Sequence, residues 1–164
     1  DVIGMDAGAA AAMVGLIGLF NGGGRFIWST VSDYIGRGRM YALFFLMEMV
    51  AFWQLGNTRD IFLFQAMIFL ITSCSGGGFS VMPAYLTDLF GTRLLGAVHG
   101  RMLTAWAAAG IVGPMLVSWL RAQTGGYTVP LLFFAGCFVL NFIIALVLQR
   151  FGIARAAARF HAAA

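Results

Sequence analysis

Five long apolar segments constrain the fold of this chain more than any other feature. The length of each segment is close to that of a helix that crosses a hydrocarbon layer about 30 Å thick, which needs about 20 residues. The segments run from about Ala7 to Ser32, Met40 to Leu55, Ile61 to Leu86, Leu95 to Leu120 and Val129 to Leu148. Short loops between them favour antiparallel neighbours. The sequence therefore predicts an all-α polytopic membrane protein with five transmembrane helices.

Composition and charge exclude several other classes. The chain is 61% hydrophobic and only 10% charged, which is far from the composition of a soluble domain. All ten basic residues are arginines at the ends of apolar runs or singly within them, a pattern typical of topology signals rather than of a nucleic-acid surface. Cys74 and Cys137 lie in separate apolar segments. We expect buried thiols, with no metal site and no cofactor.

The distribution of arginines predicts the orientation in the membrane. One side carries six of them and the other side carries two, Arg59 and Arg121. The six are Arg37, Arg39, Arg93, Arg150, Arg155 and Arg159. The positive-inside rule then places the C-terminus in the cytoplasm, where residues 154–164 form a tail that we expect to be a short helix at the membrane surface. With Asp1 outside and an odd number of spans, helices are expected to be missing upstream.

Arg25 is the candidate binding residue, because it is a cation deep within an apolar segment. Asn21, Arg25 and Ser29 recur every fourth residue and share one helix face. Arg25 lies eight residues before Asp33, or about 12 Å from the helix end, close to the middle of a bilayer. A guanidinium binds a carboxylate through paired hydrogen bonds, so a small organic anion is the natural ligand.

Glu48 supplies the alternative role for Arg25. It lies nine residues inward from Arg39 on the next helix, at a similar depth, and could be a structural ion-pair partner. The sequence leaves both roles of Arg25 open. If substrate displaces Glu48 from the arginine, then Glu48 is also a candidate proton site.

The turn SDYIGRGR is the most specific local pattern in the chain. In it, Asp33 is suited to cap a neighbouring helix, Gly36 permits a tight turn, and Arg37 and Arg39 hold the turn in the cytoplasm. These four residues match the D-x-x-G-R-x-R core of a cytoplasmic loop motif of the major facilitator superfamily. The stretches NGGGRFIWSTVSDYIGR, GGGFSVMPAYLTDLFGTRLLGAVHGRMLTAW and AAAGIVGP resemble its oxalate/formate antiporter branch, which borders the monocarboxylate porters.

This resemblance implies helices eight to twelve of a twelve-helix transporter, with residues 1–153 forming part of the C-terminal half. It implies secondary active transport of a small organic anion across the inner (plasma) membrane by alternating access. Arg25 would contact the substrate carboxylate beside Asn21, Ser29 and Trp106. The loop motif would act as a gating latch. The partners implied are the anion, the bilayer and the missing N-terminal half.

Trp106 departs from the pattern of the oxalate-handling members, which place a lysine in this stretch. Without that second cation, a dicarboxylate loses a charge partner. A monocarboxylate such as pyruvate, lactate or formate is therefore favoured over oxalate. The sequence leaves antiport and proton symport open.

Two alternatives belong to other classes. Ser75 in one segment and His99 in the next faintly resemble the serine and histidine of an intramembrane protease. The second alternative is a small structural or assembly subunit, in which Arg25 is paired with another side chain and does not respond to anions. The triplet Gly76-Gly77-Gly78 resembles Gly22-Gly23-Gly24, and both suggest either close helix packing or bending during gating.

Overall fold

The computed structural model describes the backbone of residues 7–162 and the side chains of residues 8–151. The described backbone forms five α-helices and no strand, which confirms the all-α prediction. The helices are α1 (Ala7–Ile35), α2 (Arg37–Asn57), α3 (Ile61–Phe90), α4 (Leu95–Thr124) and α5 (Thr128–Ala162), and a 3-10 turn at Thr92–Leu94 precedes α4.

Four of these helices, α1, α3, α4 and α5, are long and apolar enough to cross a membrane. The second helix falls short because its polar residues, among them Glu48, Gln54 and Asn57, lower its mean hydropathy. The helices also extend beyond the apolar segments from which they were predicted. In particular, α5 continues to Ala162, so the backbone of the predicted tail extends the last helix instead of forming a separate one.

The ends of the helices follow from local chemistry. Gly36 alone joins α1 to α2, and its φ of 90° is a conformation that residues with a Cβ rarely adopt. At the start of α3, the Asp60 carboxylate accepts a hydrogen bond of 2.9 Å from the backbone N–H of Leu63, as an N-cap does. The connections between the helices are short, as the spacing of the apolar segments predicts.

The two helices α1 and α3 run parallel and pack side by side. Three pairs of contacting residues share an offset of 51 residues, from Asn21 with Thr72 at one end, through Ser29 with Ser80, to Arg37 with Asp88 at the other. The second helix packs antiparallel against this pair. Its Met40 and Phe44 form the best-buried cluster with Cys74 of α3, and Trp28 of α1 packs against that cluster.

The outer helices differ in how far they are covered. The fifth helix lies antiparallel on α2, where Gln149 donates a hydrogen bond of 2.9 Å to the Gly38 carbonyl and Phe52 meets Phe138. The fourth helix has no buried residue among those described. Its Trp106 and Met115 are each more than half exposed.

Candidate functional site

A polar seam joins α1 to α3 and contains the predicted site. It consists of Asn21, Arg25 and Ser29 on α1, facing Thr72, Gly76 and Ser80 on α3. Nδ2 of Asn21 donates a hydrogen bond of 3.3 Å to the Thr72 carbonyl. The hydroxyls of Ser29 and Ser80 lie 2.6 Å apart. The predicted helix face is thus a helix–helix contact along part of its length.

Glycines bring the two backbones of the seam into contact. A Cβ on Gly24 would collide with the Ser73 carbonyl, and a Cβ on Gly76 would collide with the Asn21 carbonyl. A Cβ on Gly77 would meet the Trp28 side chain at 2.6 Å. By contrast, Cβ atoms on Gly22, Gly23 and Gly78 would meet nothing within 4 Å. Close packing therefore accounts for one glycine of the first triplet and two of the second.

Arg25 presents its side chain at the exposed edge of the seam. Its backbone carbonyl accepts hydrogen bonds from the hydroxyls of Ser29 at 2.6 Å and Ser80 at 3.2 Å. Its guanidinium forms no hydrogen bond or ion pair with any of the side chains at residues 8–151, whose only ion pairs are those of Arg37. An apolar helix thus carries an exposed cation whose donors are available to an anion.

Glu48 does not form the ion pair that its depth suggested. It is 8% exposed and lies on the buried face of α2 with Phe44 and Ala51. Arg25 lies on the exposed edge of α1 instead. Two side chains at the same depth on neighbouring helices meet only when both point into the same interface. Glu48 points into the buried interface of α2, whereas Arg25 points to the exposed side of α1.

Trp106 lies beside the seam, on α4. Its ring meets that of Phe79 on α3 edge-on, with the centroids 5.2 Å apart, and it remains 62% exposed. Phe79 is the residue before Ser80, whose hydroxyl contacts Arg25 and Ser29. The Arg25 backbone and the Trp106 ring therefore contact adjacent residues of α3, Ser80 and Phe79.

Ser80 and Thr72 belong to the seam but were not singled out from the sequence. The available signal was their spacing. Thr72, Gly76 and Ser80 repeat every fourth residue, as Asn21, Arg25 and Ser29 do. Two matched stripes of small and polar residues on apolar helices indicate a shared interface.

The loop motif forms an ion cluster around Arg37. Nη1 of Arg37 donates to both carboxylate oxygens of Asp88 at 2.8 Å, and Nη2 lies 3.5 Å from the Asp33 carboxylate. Within the described residues Asp33 caps no helix, because α2 begins after Gly36 and α4 after Leu94 without a side-chain cap. Its carboxylate faces the adjacent guanidinium instead. Arg39 is exposed and takes no part in the cluster.

The residues suggested for a protease do not assemble into a catalytic pair. Ser75 is exposed on α3 and makes no hydrogen bond with His99 of α4, both residues being within the described part of the chain. The serine that is engaged nearby is Ser73, whose hydroxyl accepts a 2.7 Å hydrogen bond from the Trp28 indole. A nucleophile needs its base within hydrogen-bond reach, and this pair lacks that contact.

Comparisons with known proteins show the family of the chain. The family model of the Major Facilitator Superfamily, a family of transporters rather than enzymes, matches residues 1–159. The chain is also similar to the oxalate:formate antiporter of Oxalobacter formigenes, with 29% identity over 153 residues. That match covers 92% of this chain but 36% of the relative. No solved structure matches the chain. Helical architecture, loop motif and family match together show that the chain belongs to the major facilitator superfamily.

Proposed function

We propose that the protein containing this chain transports a small organic anion across the plasma membrane by alternating access. The observation that carries the proposal is Arg25, an exposed cation on an apolar helix, with its backbone fixed by Ser29 and Ser80. A charge at membrane depth is costly unless it serves a ligand or a partner. The name of the similar antiporter supports an anionic substrate.

Each residue of the proposed site has a distinct part. The Arg25 guanidinium holds the carboxylate through paired hydrogen bonds, which a planar fork of donors favours. Asn21 and Ser29 flank it on the same face of α1, one turn away on either side. Trp106 of α4 forms one wall of the site. An N-terminal half supplies the opposite wall, and rocking of the two halves exposes the site to each side in turn.

The loop motif is proposed as the latch at the cytoplasmic end. Arg37 ties the end of α1 to the end of α3 through Asp33 and Asp88. All three side chains are substantially exposed, so we assign the cluster a modest and salt-sensitive energy suited to a contact that opens and closes. Gly36 provides the turn and Arg39 the additional positive charge. Glu48, which is buried away from Arg25, is kept only as a candidate proton site.

The substrate is proposed to be a monocarboxylate such as pyruvate, lactate or formate. Arg25 neutralises one carboxylate, and the neighbouring wall offers the Trp106 ring instead of a second cation. A dicarboxylate such as oxalate would keep one charge uncompensated at membrane depth, which is costly.

Replacing Trp106 by lysine is expected to admit oxalate. The ammonium would supply the second charge partner on the wall next to Arg25, so labelled oxalate should enter proteoliposomes holding the full-length Trp106→Lys protein at least about tenfold faster than those holding the wild type. The wild type should carry one of the labelled monocarboxylates. Trp106→Phe, which removes no charge and adds none, is the control. Rapid oxalate uptake by the wild type would refute the proposed selectivity.

A further inference from the structure

An open cavity of about 460 Å³ lies where the turn between α1 and α2 meets the ends of α3 and α5. Its walls come from three parts of the chain: residues 33–39 of the turn, Tyr85 and Leu89 of α3, and Leu148 and Gln149 of α5. None of the residues proposed to bind the transported anion lines this cavity. A ligand bound here would therefore be a second one, different from the substrate.

Contacts between the helices hold the walls of the cavity in place. Gln149 of α5 donates a hydrogen bond of 2.9 Å to the Gly38 carbonyl in the turn. The Tyr85 ring of α3 stacks on the ring of Tyr41 in α2, with the centroids 5.2 Å apart. The cavity thus exists without a ligand, and a ligand would not have to order its walls.

Arg39 supplies the cavity with a cation that has no partner within the described residues. Its neighbour in the cavity wall, Arg37, is already held by two carboxylates. Arg39 is exposed and forms no ion pair or hydrogen bond with any of the side chains at residues 8–151. Arg150, the residue after the α5 wall, is also exposed. Because the arginines at this end of the helices outnumber the aspartates, the cavity favours a negatively charged ligand.

The remaining walls of the cavity are apolar and lie where the helices leave the hydrocarbon. Ile35, Leu89 and Leu148 line it, and Leu148 is 44% exposed at the end of the last apolar segment. Tyr34 is 85% exposed in the same lining, as is typical of an aromatic residue at the level of the lipid headgroups. The distribution of arginines predicts that this end faces the cytoplasm. A fitting ligand therefore combines a negative group with a hydrocarbon chain.

We propose that this cavity binds an anionic phospholipid, whose phosphate is held by Arg39 and whose acyl chains lie against Leu89 and Leu148. A guanidinium and a phosphate form paired, charge-assisted hydrogen bonds. Basic pockets between membrane helices on the cytoplasmic side are suited to anionic headgroups, since the lipids of that leaflet carry negative charge. The lipid site does not depend on which anion the protein transports.

Native mass spectrometry of the full-length protein in detergent can measure the dissociation constant of the first bound lipid. Dioleoyl phosphatidylglycerol and dioleoyl phosphatidylcholine have the same acyl chains, but only phosphatidylglycerol carries a net negative charge. We expect phosphatidylglycerol to bind about tenfold more tightly, because the choline ammonium cancels the charge that Arg39 would otherwise neutralise. Equal dissociation constants for the two lipids would overturn the proposal.

Arg39→Gln is expected to weaken the binding of phosphatidylglycerol about tenfold and to leave that of phosphatidylcholine unchanged. Arg39→Lys keeps the charge and should retain most of the affinity. Arg93→Gln is the matched control, because it removes an exposed arginine from the connection between α3 and α4, outside the cavity lining. Equal losses in Arg39→Gln and Arg93→Gln would show that phosphatidylglycerol responds to net charge and not to this cavity.

Two further measurements distinguish a lipid from a free anion. Inorganic phosphate has the charged group but no chains, so it should not displace phosphatidylglycerol at an equal concentration. Leu148→Ser keeps Arg39 but makes the apolar wall polar, and it should weaken phosphatidylglycerol binding about fivefold. Displacement by phosphate would show that the cavity holds a free anion, and an unchanged affinity in Leu148→Ser would show that the chains do not lie on α5. Either result would contradict the proposal.

Discussion

Replacement of Arg25 by glutamine should lower uptake of the transported monocarboxylate at least about a hundredfold. Glutamine keeps much of the side-chain length but has neither the charge nor the paired donors that a carboxylate requires. Hydrogen bonds to charged groups contribute about 1.5–3 kcal/mol each, and Arg25 is expected to lose two of them. The measurement is initial uptake into proteoliposomes with equal amounts of full-length wild-type and variant protein.

Two further arginine variants make this result specific. Arg25→Lys retains the charge but loses the planar fork, so we expect uptake between those of the wild type and Arg25→Gln. Arg121→Gln removes the same charge from the far end of α4, where the guanidinium lies 4.5 Å from the centre of the Tyr127 ring. It should transport almost normally. Equal losses in Arg25→Gln and Arg121→Gln would show that net charge, and not a carboxylate site, explains the defect.

Gly76→Ala is expected to separate α1 from α3 and destabilise the protein by about 1–3 kcal/mol. The added Cβ would fall on the Asn21 carbonyl of the facing helix. A backbone carbonyl cannot rotate away as the end of a side chain can, so one helix has to move. Because the same contact supports the Arg25 turn, transport should fall as well. Thermal unfolding of the full-length protein in detergent measures the effect on stability.

The control for Gly76→Ala lies two residues further along the same helix. A Cβ on Gly78 would meet nothing within 4 Å. Since alanine is a better helix former than glycine by about 1 kcal/mol, Gly78→Ala should leave the melting temperature unchanged or raise it. If both variants melt at the same temperature, then the close α1–α3 contact is not a determinant of stability.

The helices themselves could be predicted from the sequence, whereas their exact lengths could not. Apolar segments identify the spans because a membrane excludes unpaired backbone groups. The helices continue past these segments because charged residues such as Asp33 and Arg37 are tolerated where a helix leaves the hydrocarbon. The end of α1 is set by the backbone of Gly36, not by hydropathy.

The direction in which side chains point was the harder part of the site to predict. Counting residues placed Arg25 and Glu48 at one depth, but it could not show that Glu48 faces the core of α2 while Arg25 faces outward. Ser80 was missed for a related reason. Its role depends on the parallel register of α1 and α3, which sets it opposite Ser29. That register comes from tertiary packing and cannot be read from either helix alone.

The same register explains the ion cluster. In the sequence Asp33 follows the first glycine triplet and Asp88 follows the second, each near the end of its helix, but nothing in either segment indicates what joins the two aspartates. Parallel packing at an offset of 51 residues brings Arg37 to Asp88 at the end where it already faces Asp33. One arginine thereby links both aspartates.

The most direct test of the carboxylate site is binding in the absence of transport. A ligand that binds only the folded state raises its stability, by about 2.7 kcal/mol at a hundred times the dissociation constant. Lactate, pyruvate and formate should therefore be titrated into detergent-solubilised full-length protein while its melting temperature is followed. The account predicts that at least one of them raises the melting temperature of the wild type and of Arg121→Gln, but not that of Arg25→Gln. An equal rise in Arg25→Gln would show that Arg25 does not hold the carboxylate.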